Sequence, residues 1–267
     1  MNDRFHRSSA KLPVLMYHSI AKEEPRSSDP LVVPVSRLRR HVATLTADGW
    51  ELLGLTEALQ SFEDTPSRRI AALTFDDGLL DFLNAVEVLD QAGARATIYV
   101  PTARVGIRGS LSNGVASTLG WDHLLELSRQ GIEIGSHSRH HRPLDVCPPR
   151  ILLEEIHGSR MDLEDRLGVT VCSFSFPHGY SSPRVRRAVI EAGYRNACIV
   201  GRRVSRLKDD RFSLPRLQVR PEVCEGELHR LVRRGEPGMS PTIKRVLHPG
   251  WRVVRLASSR LPGRELT

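Results

Sequence analysis

The chain is expected to fold as an α/β protein of parallel strands joined by helices, and three observations carry that expectation. Short apolar runs alternate with longer stretches whose apolar residues recur at helical spacing. Those amphipathic stretches close on glycines, as helices ending in a left-handed residue do. The 267 residues, 40% of them apolar, suffice for the core of one barrel-sized domain.

The strand candidates are residues 12–17, 50–53, 70–75, 96–100, 132–135, 171–176, 196–200 and 214–219. Between the first two, Leu38, Val42 and Leu45 recur at helical spacing and stop at Gly49. Phe82, Val86 and Leu89 repeat the pattern ahead of Gly93, and Leu152, Ile156, Leu163 and Leu167 mark a longer helix ending at Gly168. Val185, Ala188, Val189 and Ala192 precede Gly193 in the same way. Periodicity alone does not choose between an open doubly wound sheet and a closed barrel. No Gly-x-Gly-x-x-Gly follows the first strand, which counts against a dinucleotide fold. In either architecture the chemistry belongs in loops after the strand C-terminal ends. From about Pro221 the pattern weakens into a short helix over 227–233 and a Pro-, Gly- and Arg-rich tail, so 221–267 reads as a basic C-terminal extension of a domain spanning 12–220.

Lysine and arginine outnumber aspartate and glutamate 39 to 31, a formal charge of +8, which favours anionic partners. The arginine pairs are scattered, however, and aromatic residues are only 5% of the chain, so a solvated surface is expected and a nucleic-acid face is not. Peripheral contact with an anionic membrane fits the same charge. No apolar run approaches the ~20 residues that span a bilayer, so no transmembrane segment is expected. The first ten residues lack the apolar centre of a signal peptide, which gives a cytoplasmic address as the expectation. Cys147, Cys172, Cys198 and Cys224 form no Cys-x-x-Cys pair and are expected to be reduced, and mostly buried or inert.

Three strand candidates end in reactive clusters: Asp76-Asp77-Gly78, His137 to His141, and Pro177-His178-Gly179. Adjacent residues on a strand point oppositely, so both aspartates face one pocket only if the backbone turns there; the plain alternative is a turn that caps a helix beginning at Leu79. His137 and His141, four apart, can lie on one side of a helical turn and reach a single metal. One aspartate of the pair would complete the ligand set and leave the other as general base. His123 and His140 have no partner spacing and read as structural or exposed. Pro177-His178-Gly179 reads first as a turn.

These residues resemble the polysaccharide deacetylase family. Its Thr-Phe-Asp-Asp-Gly motif stands at Thr74 to Gly78 and its His-Ser/Thr-x-x-His motif at His137 to His141. The resemblance covers roughly residues 12 to 220 and implies a distorted (β/α) barrel of about seven parallel strands, with Asp76 as base and Asp77, His137 and His141 as ligands of a divalent metal, zinc first and cobalt or nickel as alternatives. It implies a substrate wall at Pro177, His178, Gly179 and Tyr180, with the His178 N–H facing the oxyanion. The family's Arg-x-Pro-Tyr motif departs here to Ser175-Phe176-Pro177-His178, so the arginine that usually supports the catalytic aspartate is missing at Ser175. The opening strand, Pro13 to His18, is similar to the branch that deacetylates poly-N-acetylglucosamine, which makes His18 the acid; His248 competes for that role. The activity implied is removal of acetyl from an N-acetylhexosamine in a polysaccharide, an oligosaccharide or a lipid-linked precursor. A carbohydrate-binding relative without turnover is the alternative of a different class.

Overall fold

The computed structural model describes residues 10–24, 29–109 and 116–236. Among these residues twelve strands occur in chain order: β1 (Lys11–Leu12), β2 (Val14–Tyr17), β3 (Ser19–Ala21), β4 (Val32–Pro34), β5 (Glu51–Leu53), β6 (Ile70–Phe75), β7 (Thr97–Val100), β8 (Glu133–Ser136), β9 (Ser173–Ser175), β10 (Asn196–Gly201), β11 (Ser205–Arg206) and β12 (Leu214–Gln218). Among the described residues seven α-helices accompany them: α1 (Val35–Ala47), α2 (Leu55–Asp64), α3 (Leu83–Gln91), α4 (Trp121–Arg129), α5 (Pro149–Leu167), α6 (Pro183–Glu191) and α7 (Glu225–Arg234).

The choice that periodicity left open is settled by one pairing. The main sheet runs β2-β12-β10-β9-β8-β7-β6, and β2 also pairs with β6, which closes a seven-stranded parallel barrel. Closure leaves β5 outside the ring. It occupies the first half of one edge of β6, from Glu51↔Ile70 to Leu53↔Ala72, and β7 takes the second half at Thr74↔Thr97 and Phe75↔Ile98. The barrel is distorted where pairing is thin: β8 and β9 share only Ser136↔Phe174.

Burial follows from this geometry. β6 is flanked on both edges, and all six of its residues are buried, as its unbroken Ile-Ala-Ala-Leu-Thr-Phe run requires. The helices turn apolar faces to the barrel wall: Leu38, Val42 and Leu45 from α1, and Leu152, Ile156, Leu163 and Leu167 from α5. α5 stops at Gly168, whose φ of 67° is the left-handed cap that only glycine adopts without strain. A smaller cluster of Val14, Leu53, Leu55, Phe62, Ile70, Ala72 and Leu214 packs α2 against the strand N-terminal ends. α2 and α4 have no counterpart among the sequence-derived elements, although Leu55, Ala58, Leu59 and Phe62 have helical spacing. Within the segment read as an extension, α7 buries Leu228 and Val232 in the main core and contacts α1. Among the described residues no helix is long and apolar enough to cross a membrane.

The four cysteines are free; Cys147 and Cys198 are buried, Cys172 is half-buried and Cys224 is exposed. Burial pushes the Cys198 thiol up to about 12, so it carries no nucleophile at neutral pH.

Candidate active site

The three reactive clusters meet at the strand C-terminal ends, and the backbone there departs from ordinary geometry. Four non-glycine residues have positive φ among the described residues: Asp77 (71°), Ser138 (62°), His141 (60°) and His178 (57°). All four lie in the clusters. Left-handed backbone at bulky residues is unfavourable and persists only where surrounding contacts enforce it.

β6 delivers Asp76 into the barrel mouth at 4% exposure, with its N–H donated to the Tyr17 carbonyl at 3.0 Å. Asp77 then turns left-handed and Gly78 follows at φ 59°, so both carboxylates face one site. Neither acid caps a helix: the next element is a 3-10 turn, Leu80–Phe82, without a side-chain cap.

A residue that the sequence reading did not single out holds Asp76. Arg216, fully buried on β12, donates from Nη1 to Asp76 Oδ1 at 2.5 Å and from Nη2 to Oδ2 at 2.6 Å. Nη2 also donates to Ser175 Oγ at 2.8 Å, and the guanidinium lies 5.4 Å from the Tyr99 ring centroid. Tyr99 in turn needs Gly135, where a Cβ would come within 2.6 Å of its ring. The missing arginine at position 175 is therefore supplied from another strand, and the serine there hydrogen-bonds to it. Burial works against the charge on Asp76, but the Arg216 guanidinium outweighs it and holds the carboxyl well below the usual carboxylate range. The one signal in the sequence was a lone arginine inside the otherwise apolar run Leu214-Pro215-Arg216-Leu217.

Asp77, His137 and His141 offer ligand atoms that all lie within 4.8 Å of one another. His137, 2% exposed, is tied through Nδ1 to the Ser175 carbonyl at 2.8 Å, which makes Nδ1 the protonated nitrogen and leaves the Nε2 lone pair facing Asp77 Oδ1 at 3.7 Å. His141 Nε2 is 3.4 Å from the same oxygen. Burial first, then the neighbouring His137 and His178, lower the His141 pKa to about 2, so its imidazole is neutral at pH 7. Two imidazoles and a carboxylate are a donor set that suits zinc. The pair does not sit on a helical turn, as the spacing had suggested. Residues 137–142 form no helix or strand, and the left-handed Ser138 and His141 bring the second imidazole back.

Pro177–Gly179 forms a short 3-10 turn after β9, with His178 left-handed inside it and its ring 4.7 Å from that of His141. Gly179 has φ 71°, and a Cβ there would lie inside the van der Waals radius of Val200. Gly179→Ala is expected to lower stability by more than ~1 kcal/mol in a denaturant titration. Tyr180 follows, half-buried. His18 stands one residue beyond β2, near enough for its charge to act on Asp76. His123 accepts the Gly120 N–H at the start of α4 and His140 pairs with Glu155, both outside the metal cluster. His248 lies outside the described residues.

A seven-stranded (β/α) barrel with an Asp-His-His cluster and an arginine-held aspartate at its mouth defines a hydrolase-type barrel with a metal-competent centre. The chain belongs to the polysaccharide deacetylase family, hydrolases of amide bonds: residues 63–197 match the family described as Polysaccharide deacetylase. That match takes in all three clusters and excludes His18 and Arg216. YxkH of Bacillus subtilis (strain 168), which bears the family's name, is 27% identical over 79% of this chain and 72% of its own. Among solved structures, the Streptococcus pyogenes deacetylase PplD in complex with acetate superposes with a TM-score of 0.75 at 22% identity, covering 85% of this chain and 99% of that one. IcaB from Ammonifex degensii gives 0.73 at 19% identity, over 84% and 97%. These likenesses show a common fold.

Proposed function

We propose that the protein removes the acetyl group from an N-acetylhexosamine unit of a polysaccharide, oligosaccharide or lipid-linked precursor by metal-dependent hydrolysis, releasing acetate. The observation that carries this reading is the convergence of Asp77, His137 and His141 beside an ionised, arginine-held Asp76.

Asp77, His137 and His141 would hold the metal. Zinc, or cobalt or nickel in its place, would lower the pKa of a water to around 7 and polarise the acetyl carbonyl. Asp76 accepts the proton of the attacking water. Each of its oxygens keeps a lone pair beyond the one taken by Arg216, and its low pKa ensures that it is ionised throughout the neutral range. The backbone N–H of His178, presented by the left-handed turn, donates to the developing oxyanion, while Pro177, Gly179 and Tyr180 form the wall beside the acetyl group. His18, which directly follows β2 where that strand pairs with β6, would donate a proton to the leaving amine.

Acetate release from a chitooligosaccharide, measured with added zinc, should fall by about 10²–10⁴ in Asp76→Asn, the range expected for loss of a general base. Equal release from the two proteins would defeat the assignment of the base. Sugar binding without acetate release by the zinc-loaded wild type would favour the carbohydrate-binding alternative.

A further inference from the structure

Glu155 is a carboxylate on the buried face of a helix, and the proposed chemistry does not use it. It lies between Leu152 and Ile156 on α5, on the face turned to the barrel, at 2% exposure. A carboxylate taken out of water costs several kcal/mol unless its oxygens are satisfied, so its partners matter. They all come from the metal-ligand loop. Oε2 accepts the backbone N–H of Arg139 at 3.1 Å and of His140 at 2.8 Å. Oε1 accepts His140 Nδ1 at 2.7 Å and lies 3.4 Å from Arg142 Nε.

We infer that Glu155 is a positioning residue for the metal centre, holding the loop between His137 and His141 in the left-handed conformation that brings the two imidazoles onto one ion. The inference rests on the proposed metal-dependent reading and deepens it. Residues 137–142 have no helix or strand bonds of their own, and two of the residues between and including the ligands are left-handed. Such a loop returns to extended backbone unless its N–H groups are captured. Glu155 captures two consecutive ones, immediately before His141.

A second grip on the same helix shows that the loop is held as a unit. Asp162, seven residues and two turns further along α5, takes the Arg139 guanidinium at 3.0 Å and 2.8 Å and the Thr102 hydroxyl at 2.6 Å. From the other side, the N–H groups of Thr102 and Ala103 donate to the carbonyls of Ser138 and Arg139 at 3.2 Å and 2.8 Å. The N–H groups of Arg139 and His140 thus go to Glu155 and the carbonyls of Ser138 and Arg139 to the turn after β7. Groups that orient metal ligands typically change metal affinity by 10–100-fold when removed.

The test uses the full chain, stripped of metal and titrated with zinc against a fluorescent zinc indicator, with circular dichroism of the metal-free state as the fold check. Glu155→Met, close in volume but without an acceptor, should weaken zinc binding by about tenfold or more. Glu155→Asp, one methylene shorter, should fall between it and the wild type. Glu155→Gln keeps an oxygen for both N–H groups and should stay within about threefold of the wild type, as should Glu154→Ala on the exposed face. If Glu155→Met fails to fold, Glu155→Asp decides. Wild-type zinc affinity in either folded variant overturns the positioning role. Failure of the wild type itself to bind zinc strikes at the metal-dependent reading instead, so the two failures are distinct.

Discussion

Stripping the metal with a chelator should reduce acetate release by about 10³–10⁴-fold, and zinc should restore it. The magnitude follows from the several kcal/mol of charge stabilisation a bound divalent ion contributes, at ~1.4 kcal/mol per decade of rate. His141→Ala should be as inactive as the stripped enzyme and should not recover with zinc at concentrations that saturate the wild type. His141 suits this comparison because it is only part-buried, with 16% of its side chain exposed, and its backbone is held independently by the Ser138 hydroxyl at 3.1 Å. Zinc should also raise the melting temperature of the wild type, since an ion that binds only the folded chain stabilises it by mass action. That increment should shrink in His141→Ala. Full activity in metal-free enzyme would remove the Asp-His-His cluster from the mechanism.

The parts of this site that were legible in the sequence are local ones. Asp76 and Asp77 follow a strand of six residues, five of them apolar, and His137 follows another strand, so strand-end placement and residue type together marked the mouth. What remained hidden depends on contacts across the barrel or on backbone conformation. Arg216 is 140 residues from Asp76, and nothing in its neighbourhood states that β12 comes to lie one strand away from the strand that delivers Asp76. The i, i+4 spacing of His137 and His141 suggested a helical turn, whereas the left-handed backbone at Ser138 and His141 produces the convergence. The barrel's closure likewise rests on β2 pairing with β6, a contact between Val14–Tyr17 and the strand that begins at Ile70, which no local period encodes. The short parallel pair β3 and β4, three residues each, is below the length at which alternation can be read.

Arg216→Met should destabilise the protein by about 3–5 kcal/mol near neutral pH, because it leaves the Asp76 anion buried without its partner. The sign of the pH dependence distinguishes this from a simple packing loss. In the wild type the Asp76 pKa is depressed by folding, so the pair's contribution is present above the unfolded aspartate's pKa of about 4 and is lost only as pH falls through the lower folded value. Without the guanidinium, burial remains and pushes the Asp76 pKa up. The deficit of Arg216→Met should therefore widen as pH rises above about 4 and narrow in acid, in denaturant titrations across that range. Adding Asp76→Asn should recover much of the loss at neutral pH, since it removes the uncompensated charge. In the otherwise intact enzyme the acidic limb of kcat/KM should move to higher pH in Arg216→Met, because the base must now ionise in a site that disfavours its charge. Arg216→Lys should restore neither property fully: a lysine ammonium cannot bind both oxygens of Asp76 side-on and reach Ser175 Oγ at the same time. A stability deficit independent of pH, unaffected by Asp76→Asn, would reduce Arg216 to a packing role and return the question of what keeps Asp76 ionised.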